Sequence, residues 1–96
     1  MSDKRYIMGI DGGGSHVRVA IVTSELSTIG TSQGPKVNPS VIGHANAKRI
    51  IQEQMLEVLA DTNLAPDQIA GVGIGVAGAE AYHSKAWLEE VITEII

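Results

Sequence analysis

The sequence contains no cysteine and no phenylalanine, and only one Trp and two Tyr among its 96 residues. Without Cys, this segment holds no disulfide framework, iron–sulfur cluster or thiolate metal site. With so few aromatic residues, its 44% hydrophobic content comes mainly from Val, Ile, Leu and Ala, and the chain also contains eleven glycines. Small β-branched residues and glycine favour strands and tight loops over an aromatic-rich helical core.

Charge and long apolar runs are also scarce. Only 19% of the residues are charged, the net charge is −4, and the seven Lys and Arg are scattered, which argues against a nucleic-acid-binding surface. The apolar run Tyr6 to Ile10 follows Lys4 and Arg5 but stops at Asp11, far short of a signal peptide or of the roughly 20 apolar residues of a membrane span. We therefore expect a soluble cytoplasmic protein with no nucleic-acid or membrane partner.

The pattern of apolar and turn residues predicts the element order β-β-β-α-β-α. Alternation and β-branched residues indicate strands, and three- and four-residue spacing indicates helices. The predicted elements are strands at 6–10, 17–23, 28–33 (a weaker strand, at an edge) and 69–76, and helices from about His44 to Thr62 and from about Tyr82 to the end. This order predicts an α/β fold in which a mixed sheet packs against helices.

The first helix carries one apolar stripe; Leu56 lies off it, and the pattern does not decide whether Leu56 is buried. The stripe is expected to be buried against the sheet; its members are Ala47, Ile51, Met55, Val58 and Leu59. Asn63 and Pro66 end the helix. The second helix ends on Ile95 and Ile96 without a Gly, Asn or basic last turn, so we expect the fold to continue beyond this segment.

The segment from Asp11 to Arg18 is the most informative. Its three consecutive glycines expose backbone N–H groups and can take positive φ, so a phosphate can approach the main chain. Ser15 adds a hydroxyl donor, and Asp11 supplies the hard oxygen ligand that Mg²⁺ prefers. The alternative is an ordinary hairpin turn. The segment is not a P-loop, because no Gly-Lys-Ser/Thr follows and the next element is a strand.

Arg18 and the histidines have ordinary interpretations as well. Arg18 alternates with Val17 and Val19 and is first a solvent-facing strand residue, although it could brace Asp11 through a bidentate pair. His16, His44 and His83 lack metal-ligand spacing and are interpreted as surface residues. Glu80 is interpreted as a helix N-terminal acid, and Trp87 as core or interface filling.

The sequence Asp-Gly-Gly-Gly-Ser-His-Val-Arg at 11–18 resembles the first phosphate motif of the actin/hexokinase/Hsp70 superfamily. Its triple glycine is similar to that of the BadF/BadG-type ATPase family, which includes the N-acetylglucosamine kinases. The segments 34–43 and 69–78 agree with the same family, so that the likeness spans nearly the whole chain. Two residues depart from the pattern: Ser15 stands where Thr is more usual, and His16 where Lys or another polar residue is expected.

The resemblance implies an incomplete first lobe of a two-lobed, ribonuclease H-like (actin-like) kinase, comprising residues 1–96. It implies ATP and Mg²⁺ as cofactors and an amino sugar, N-acetylglucosamine or glucosamine, as substrate. The implied contacts are Gly12, Gly13, Gly14 and Ser15 to the ATP phosphates, Asp11 to Mg²⁺ directly or through water, and Asn38 and Gly78 to the sugar. No catalytic base lies in this chain, which is expected to be inactive alone. The full-length enzyme is expected to be a homodimer.

Three other functions remain open. The same family includes activator ATPases of dehydratases and reductases, whose cysteines would lie downstream. A non-catalytic nucleotide-binding module is a further alternative. Finally, Gly73 to Gly78 matches the dinucleotide pattern G-x-G-x-x-G, with Glu94 about 20 residues later, but the preceding strand is short and Glu94 lies in a helical pattern. We interpret these glycines instead as allowing a strand and a helix to pack closely beside a substrate cleft.

Overall fold

The computed structural model describes residues 5–13, 15–76 and 84–96. Within them, a four-stranded sheet packs against helices. The elements are β1 (Tyr6–Asp11), β2 (Val17–Thr23), β3 (Thr28–Gly34), α1 (Pro39–Ile42), α2 (His44–Thr62), β4 (Ile69–Gly75) and α3 (Ser84–Thr93), with a 3₁₀ turn at Pro66–Gln68 before β4. The predicted α/β class and order are confirmed; α1 and the 3₁₀ turn are additions.

The sheet is mixed and has the strand order β3-β2-β1-β4. β1 pairs antiparallel with β2 and parallel with β4, and β2 pairs antiparallel with β3. The crossover from β3 to β4 runs through α2, as a parallel pairing requires. The weak third strand lies at a sheet edge, as its sequence indicated.

One face of the sheet and the apolar stripe of α2 form the core. All five predicted stripe residues are buried, and Leu56 is 51% exposed. From the sheet, Met8, Ile10 and Val19 are also buried in this core. The prediction missed Gln54, a polar residue of α2 that is buried as well.

The core face of β4 is set by a shift in pairing. Tyr6 pairs with Ile69 and Ile7 with Gly71, so that Ala70 is an extra residue, as in a β-bulge. After it, Val72 and Ile74 lie on the core face, while the strand glycines lie on the opposite face. A Cβ added at Gly71, Gly73 or Gly75 would meet no atom within 4 Å among the described residues. The expected close helix packing against these glycines is therefore not found there.

α3 packs beside α2 and not against the glycine face. Val91 is fully buried, and Lys48 of α2 contacts Glu90 and Glu94 at 3.4 and 3.1 Å. A hydrogen bond from Gln52 and a smaller contribution from the Lys48 hydrogen bond lower the pKa of Glu94. Glu94 is thus engaged between two helices, not at the end of a strand, which removes the support for a dinucleotide site.

Trp87 joins the start of α3 to the start of α2. Its indole N–H donates to the backbone oxygen of His44 at 3.2 Å, and the two rings meet edge to face with centroids 5.0 Å apart. Trp87 is therefore half-buried within this chain. The predicted second helix ends at Thr93, earlier than expected, and Tyr82 lies outside the described residues. No helix in the described part of the chain is long and apolar enough to span a membrane.

β3 approaches α2 closely because small residues face the helix. Ser32 donates its hydroxyl hydrogen to the backbone oxygen of Gln54 at 2.8 Å. A Cβ at Gly34 would lie 2.8 Å from Nε2 of Gln54, and one at Gly30 only 2.3 Å from Cγ2 of Thr62. The short distance at Gly30 excludes any side chain unless the Thr62 side chain or α2 moves.

We expect Gly30→Ala to destabilise the chain by about 1–3 kcal/mol, because the added methyl group overpacks the contact with Thr62. Thr62→Ser removes the clashing Cγ2 but keeps the hydroxyl group, which donates to the Val58 oxygen at 2.7 Å. The double variant should therefore recover most of the loss. Urea unfolding of the four proteins measures this coupling. Additive effects of the two substitutions would contradict a direct contact between positions 30 and 62.

Candidate functional site

All three sequence motifs meet at one end of the sheet, where neighbouring strands begin or end. The parallel strands β1 and β4 both end there, β3 ends there, and β2 begins there, since Arg18 pairs with Asp11 on one side and Gln33 on the other. The loops that begin at Gly12 and Pro35 therefore leave the sheet beside Val76, the residue that follows β4. In open α/β sheets, ligands bind outside the carboxyl ends of the strands.

Gly12 is the point where the three segments touch. Its N–H donates to the Gly75 oxygen at 2.7 Å, which extends the pairing of β1 with β4. It is buried, and an added Cβ would lie 3.1 Å from Val76 and 3.2 Å from Val37. The N–H of Gly12 is thus used in strand pairing and is not free for a ligand. Because Gly12 has no side chain, Val37 and Val76 can pack against it.

A second hydrogen bond joins the glycine loop to the loop carrying Asn38. The N–H of Val17 donates to the Pro35 oxygen at 3.1 Å, one residue beyond the last paired position of β3. Val37, two residues further along, is fully buried against Gly12. The two loops therefore form one continuous rim of the site.

Asp11 shapes the start of the glycine loop. It is exposed at the end of β1, and its Oδ1 accepts a hydrogen bond from the N–H of Gly13 at 3.0 Å. Neither Gly12 nor Gly13 takes positive φ; among the described glycines only Gly43 does, at 87°. The conformational argument for glycine thus does not apply at these two positions. Close contacts explain Gly12, and a Cβ at Gly13 would lie 3.3 Å from Oδ1 of Asp11.

A cleft of about 440 Å³ lies beside this loop, and its lining residues are Asp11, Gly13, Ser15, His16 and Arg18. Ser15 and His16 are exposed, and neither has a hydrogen-bond partner elsewhere in residues 5–13, 15–76 and 84–96. Their backbone N–H groups and the Ser15 hydroxyl are available to a ligand. Gly14 lies outside the described residues.

Asp11 is the single acidic residue of the cleft lining. The described residues contain no cluster of three or more His, Cys, Asp or Glu side chains that could enclose a metal ion. One carboxylate with a free second oxygen fits Mg²⁺, which keeps several waters and is usually held by one or two carboxylates together with phosphate oxygens. It does not fit a metal held by protein ligands alone.

Asn38 begins α1, and its side-chain oxygen is used locally. Oδ1 accepts hydrogen bonds from the backbone N–H of Ser40, at 3.0 Å, and from the Ser40 hydroxyl. This N-cap, with Pro39 at the first helical position, explains why a helix begins here. The amide Nδ2 has no partner among the described residues, so Asn38 presents a hydrogen-bond donor. It lines a second, largely apolar cavity of about 120 Å³ with Lys36, Val41 and Ile42.

The structure therefore brings Asp11, Gly12, Gly13, Ser15 and Asn38 to one rim. Gly78, Glu80 and His83 lie outside the described residues. Sequence reasoning did not assign Arg18 to the site, and the ion pair that it considered with Asp11 is not formed in the described structure. The signal was present in the sequence, because Arg18 is the last residue of the motif at 11–18. The sequence did not show which residue lies opposite Arg18, because that depends on the register between β1 and β2.

Known proteins similar to this chain are amino-sugar kinases. No protein-family model matches the chain. It is 30% identical over 93 residues to the N-acetylmuramic acid/N-acetylglucosamine kinase of Clostridium acetobutylicum, covering 95% of this chain. It is 28% identical over 82 residues to the glucosamine kinase GspK of Vibrio cholerae, covering 85% of this chain. The chain spans only about 30% of the length of these two relatives.

A solved structure matches the same part of the fold. It is the "Putative N-acetylglucosamine Kinase" from Chromobacterium violaceum, with a TM-score of 0.61, 20% identity, and coverage of 94% of this chain and 31% of that one. At this identity the match shows the fold alone, and this chain corresponds to 31% of that protein. Together with the two relatives, it confirms the resemblance to N-acetylglucosamine kinases that the glycine loop indicated.

Proposed function

We propose that this chain is the first part of an ATP-dependent kinase that phosphorylates an amino sugar, N-acetylglucosamine or glucosamine. The observation that carries the proposal is the polar cleft lined by Asp11 and Ser15, which lies where β1 and β4 end side by side. The names of the two relatives favour a kinase over an activator ATPase. The complete enzyme is proposed to be a cytoplasmic homodimer.

In this proposal the glycine loop binds the ATP phosphates. Ser15 donates its hydroxyl and backbone N–H groups, and Gly13 and Gly14 are proposed to let phosphate oxygens approach because they carry no side chain. Gly12 contributes through the packing of the loop. Asp11 holds Mg²⁺ directly or through water, and the ion, when bound, neutralises negative charge on the phosphates. Fixed donors of this kind stabilise the charge that develops during phosphoryl transfer.

The sugar is proposed to bind at the neighbouring loop. Asn38 is half-buried and offers its Nδ2 hydrogens to an acceptor oxygen of the sugar, since its Oδ1 is already bonded to Ser40. Gly78 is proposed to contact the sugar from the segment after β4. The base that removes the hydroxyl proton is proposed to lie outside this chain, so residues 1–96 alone should not catalyse the reaction.

A direct assay tests the proposal. The full-length product of the gene, incubated with Mg²⁺ and ATP, is expected to release ADP only when N-acetylglucosamine or glucosamine is present. Mass spectrometry should show one phosphate added to the sugar, and omission of Mg²⁺ should abolish the reaction. The 96-residue chain, assayed in parallel, is expected to be inactive. Sugar-independent release of ADP with no phosphorylated sugar would instead support an activator ATPase.

A further inference from the structure

Gln54 is a polar residue at an apolar position of α2. It follows Ile51 by three residues and precedes Val58 by four, so it lies on the side of the helix that faces the core. Gln54 is only 9% exposed. Within the part of the chain that the structure describes, its Oε1 is the one buried side-chain oxygen or nitrogen without a hydrogen-bond partner. Such an acceptor costs stability, and an apolar residue would pack here without that cost.

The side chain of Gln54 packs against the last residue of β3. A Cβ added at Gly34 would lie 2.8 Å from Nε2 and 2.9 Å from Cδ of Gln54, so the amide group lies directly against the Gly34 backbone. The residues of β3 that contact α2 are small: Gly30, Ser32 and Gly34. No large apolar side chain among them holds the end of β3 on the helix. Gln54 therefore supports the point at which the chain leaves the sheet.

The loop that begins after Gly34 carries Asn38 only four residues later. The hydrogen bond to the Pro35 oxygen and the burial of Val37 hold this loop against the glycine loop. Gln54 supports the start of the same loop from α2. Because the segment is short, a displacement of Gly34 is expected to change the direction in which the Asn38 amide points.

We propose that Gln54 is a positioning residue for sugar binding: through its contact with Gly34, it holds Asn38 in the orientation that meets the substrate. The proposal rests on the proposed kinase function and adds a residue that acts through Asn38, without contact to ATP or the sugar. Proteins depart from the rules of core packing mainly at functional sites, and an unpaired amide on a core-facing helix side is such a departure. A planar amide also fixes the end of the strand better than a flexible apolar chain does.

Gln54→Met in the full-length protein tests this assignment. Methionine is similar in length and packs well in cores, but it lacks the planar amide. We expect the KM for the amino sugar to rise about 10-fold, as for the loss of one hydrogen bond to the substrate. The kcat and the KM for ATP should change by less than about twofold, because only ground-state sugar binding is affected. The midpoint of urea unfolding should stay the same or rise, since an unpaired acceptor is removed.

The matched control is Gln52→Met, the same change two residues earlier on α2. Nε2 of Gln52 donates to the Val91 oxygen at 3.1 Å and to Glu94 at 3.0 Å, so it joins α2 to α3. Its loss should lower the midpoint of urea unfolding and leave the sugar KM unchanged. The two variants are thus expected to show opposite effects on stability and on sugar binding.

Three results would overturn the assignment and leave the proposed function unaffected: a wild-type sugar KM in Gln54→Met, an equal rise in the KM for ATP and for the sugar, or a rise that accompanies lower stability. If the wild type phosphorylates no amino sugar, the proposed function fails. Hydrogen–deuterium exchange of the full-length protein then still tests the positioning. The amides of 36–38 should exchange faster in Gln54→Met than in the wild type, and equal exchange would show that Gln54 does not hold this loop.

Discussion

Asp11→Asn is expected to lower the turnover of the full-length kinase by about 100-fold or more, while ATP affinity falls less than tenfold. The substitution removes the negative charge and the oxygen ligand suited to Mg²⁺. It leaves a side-chain oxygen able to accept the Gly13 N–H, at the position that Asp11 Oδ1 now occupies at 3.0 Å. The loop should keep its shape, so the loss would be a loss of metal chemistry. Steady-state kinetics with ATP and N-acetylglucosamine measure both effects.

Two comparisons make the Asp11 result specific. Asp61→Asn makes the same chemical change at an exposed position of α2 and should leave kcat and KM unchanged. Raising the Mg²⁺ concentration should recover part of the Asp11→Asn activity if the variant's defect is weaker metal binding. A variant with wild-type turnover at low Mg²⁺ would show that Asp11 only shapes the glycine loop.

Gly12→Val is expected to destabilise the 96-residue chain by about 1–3 kcal/mol or more, because it overpacks a buried contact. A single added Cβ would already lie 3.1 to 3.2 Å from Val37 and Val76. The branched side chain would press the loop at 35–38 away from β4. Gly12→Ala should cost less, since the two valines then need to move by only a few tenths of an ångström. Urea unfolding followed by circular dichroism measures the series.

The matched control for Gly12→Val is Gly9→Val, which makes the same change three residues earlier, inside β1. A Cβ at Gly9 meets no described atom within 4 Å, and valine is a better strand residue than glycine. Gly9→Val should therefore leave the free energy of unfolding unchanged or raise it. Equal destabilisation by the two substitutions would mean that the cost reflects general intolerance of β1 and not the junction of the loops.

The position of the glycine loop between two strands was predictable from the sequence because its signals are local. The glycine loop lies between two apolar alternating runs, and the stripe of α2 follows helical spacing. These patterns predicted the order of the elements and the five buried apolar residues of α2, but they did not predict the burial of Gln54 and left that of Leu56 undecided. They also carried the likeness to the amino-sugar kinases. Patterns of this kind depend only on residues close together in the chain, so they can be recognised in a single sequence.

The sequence by itself determined the element order, the α/β class and the place of the glycine loop; the tertiary structure decided which groups face one another. The shifted pairing at Ala70 puts Ile69 and Val72 on one face, and contacts with Val37 and Val76, not positive φ, require glycine at 12. The pairing register also brings Arg18 into the Asp11 cleft. Such contacts join residues far apart in the chain, and a shift of one residue in strand register would reverse the faces on which they lie.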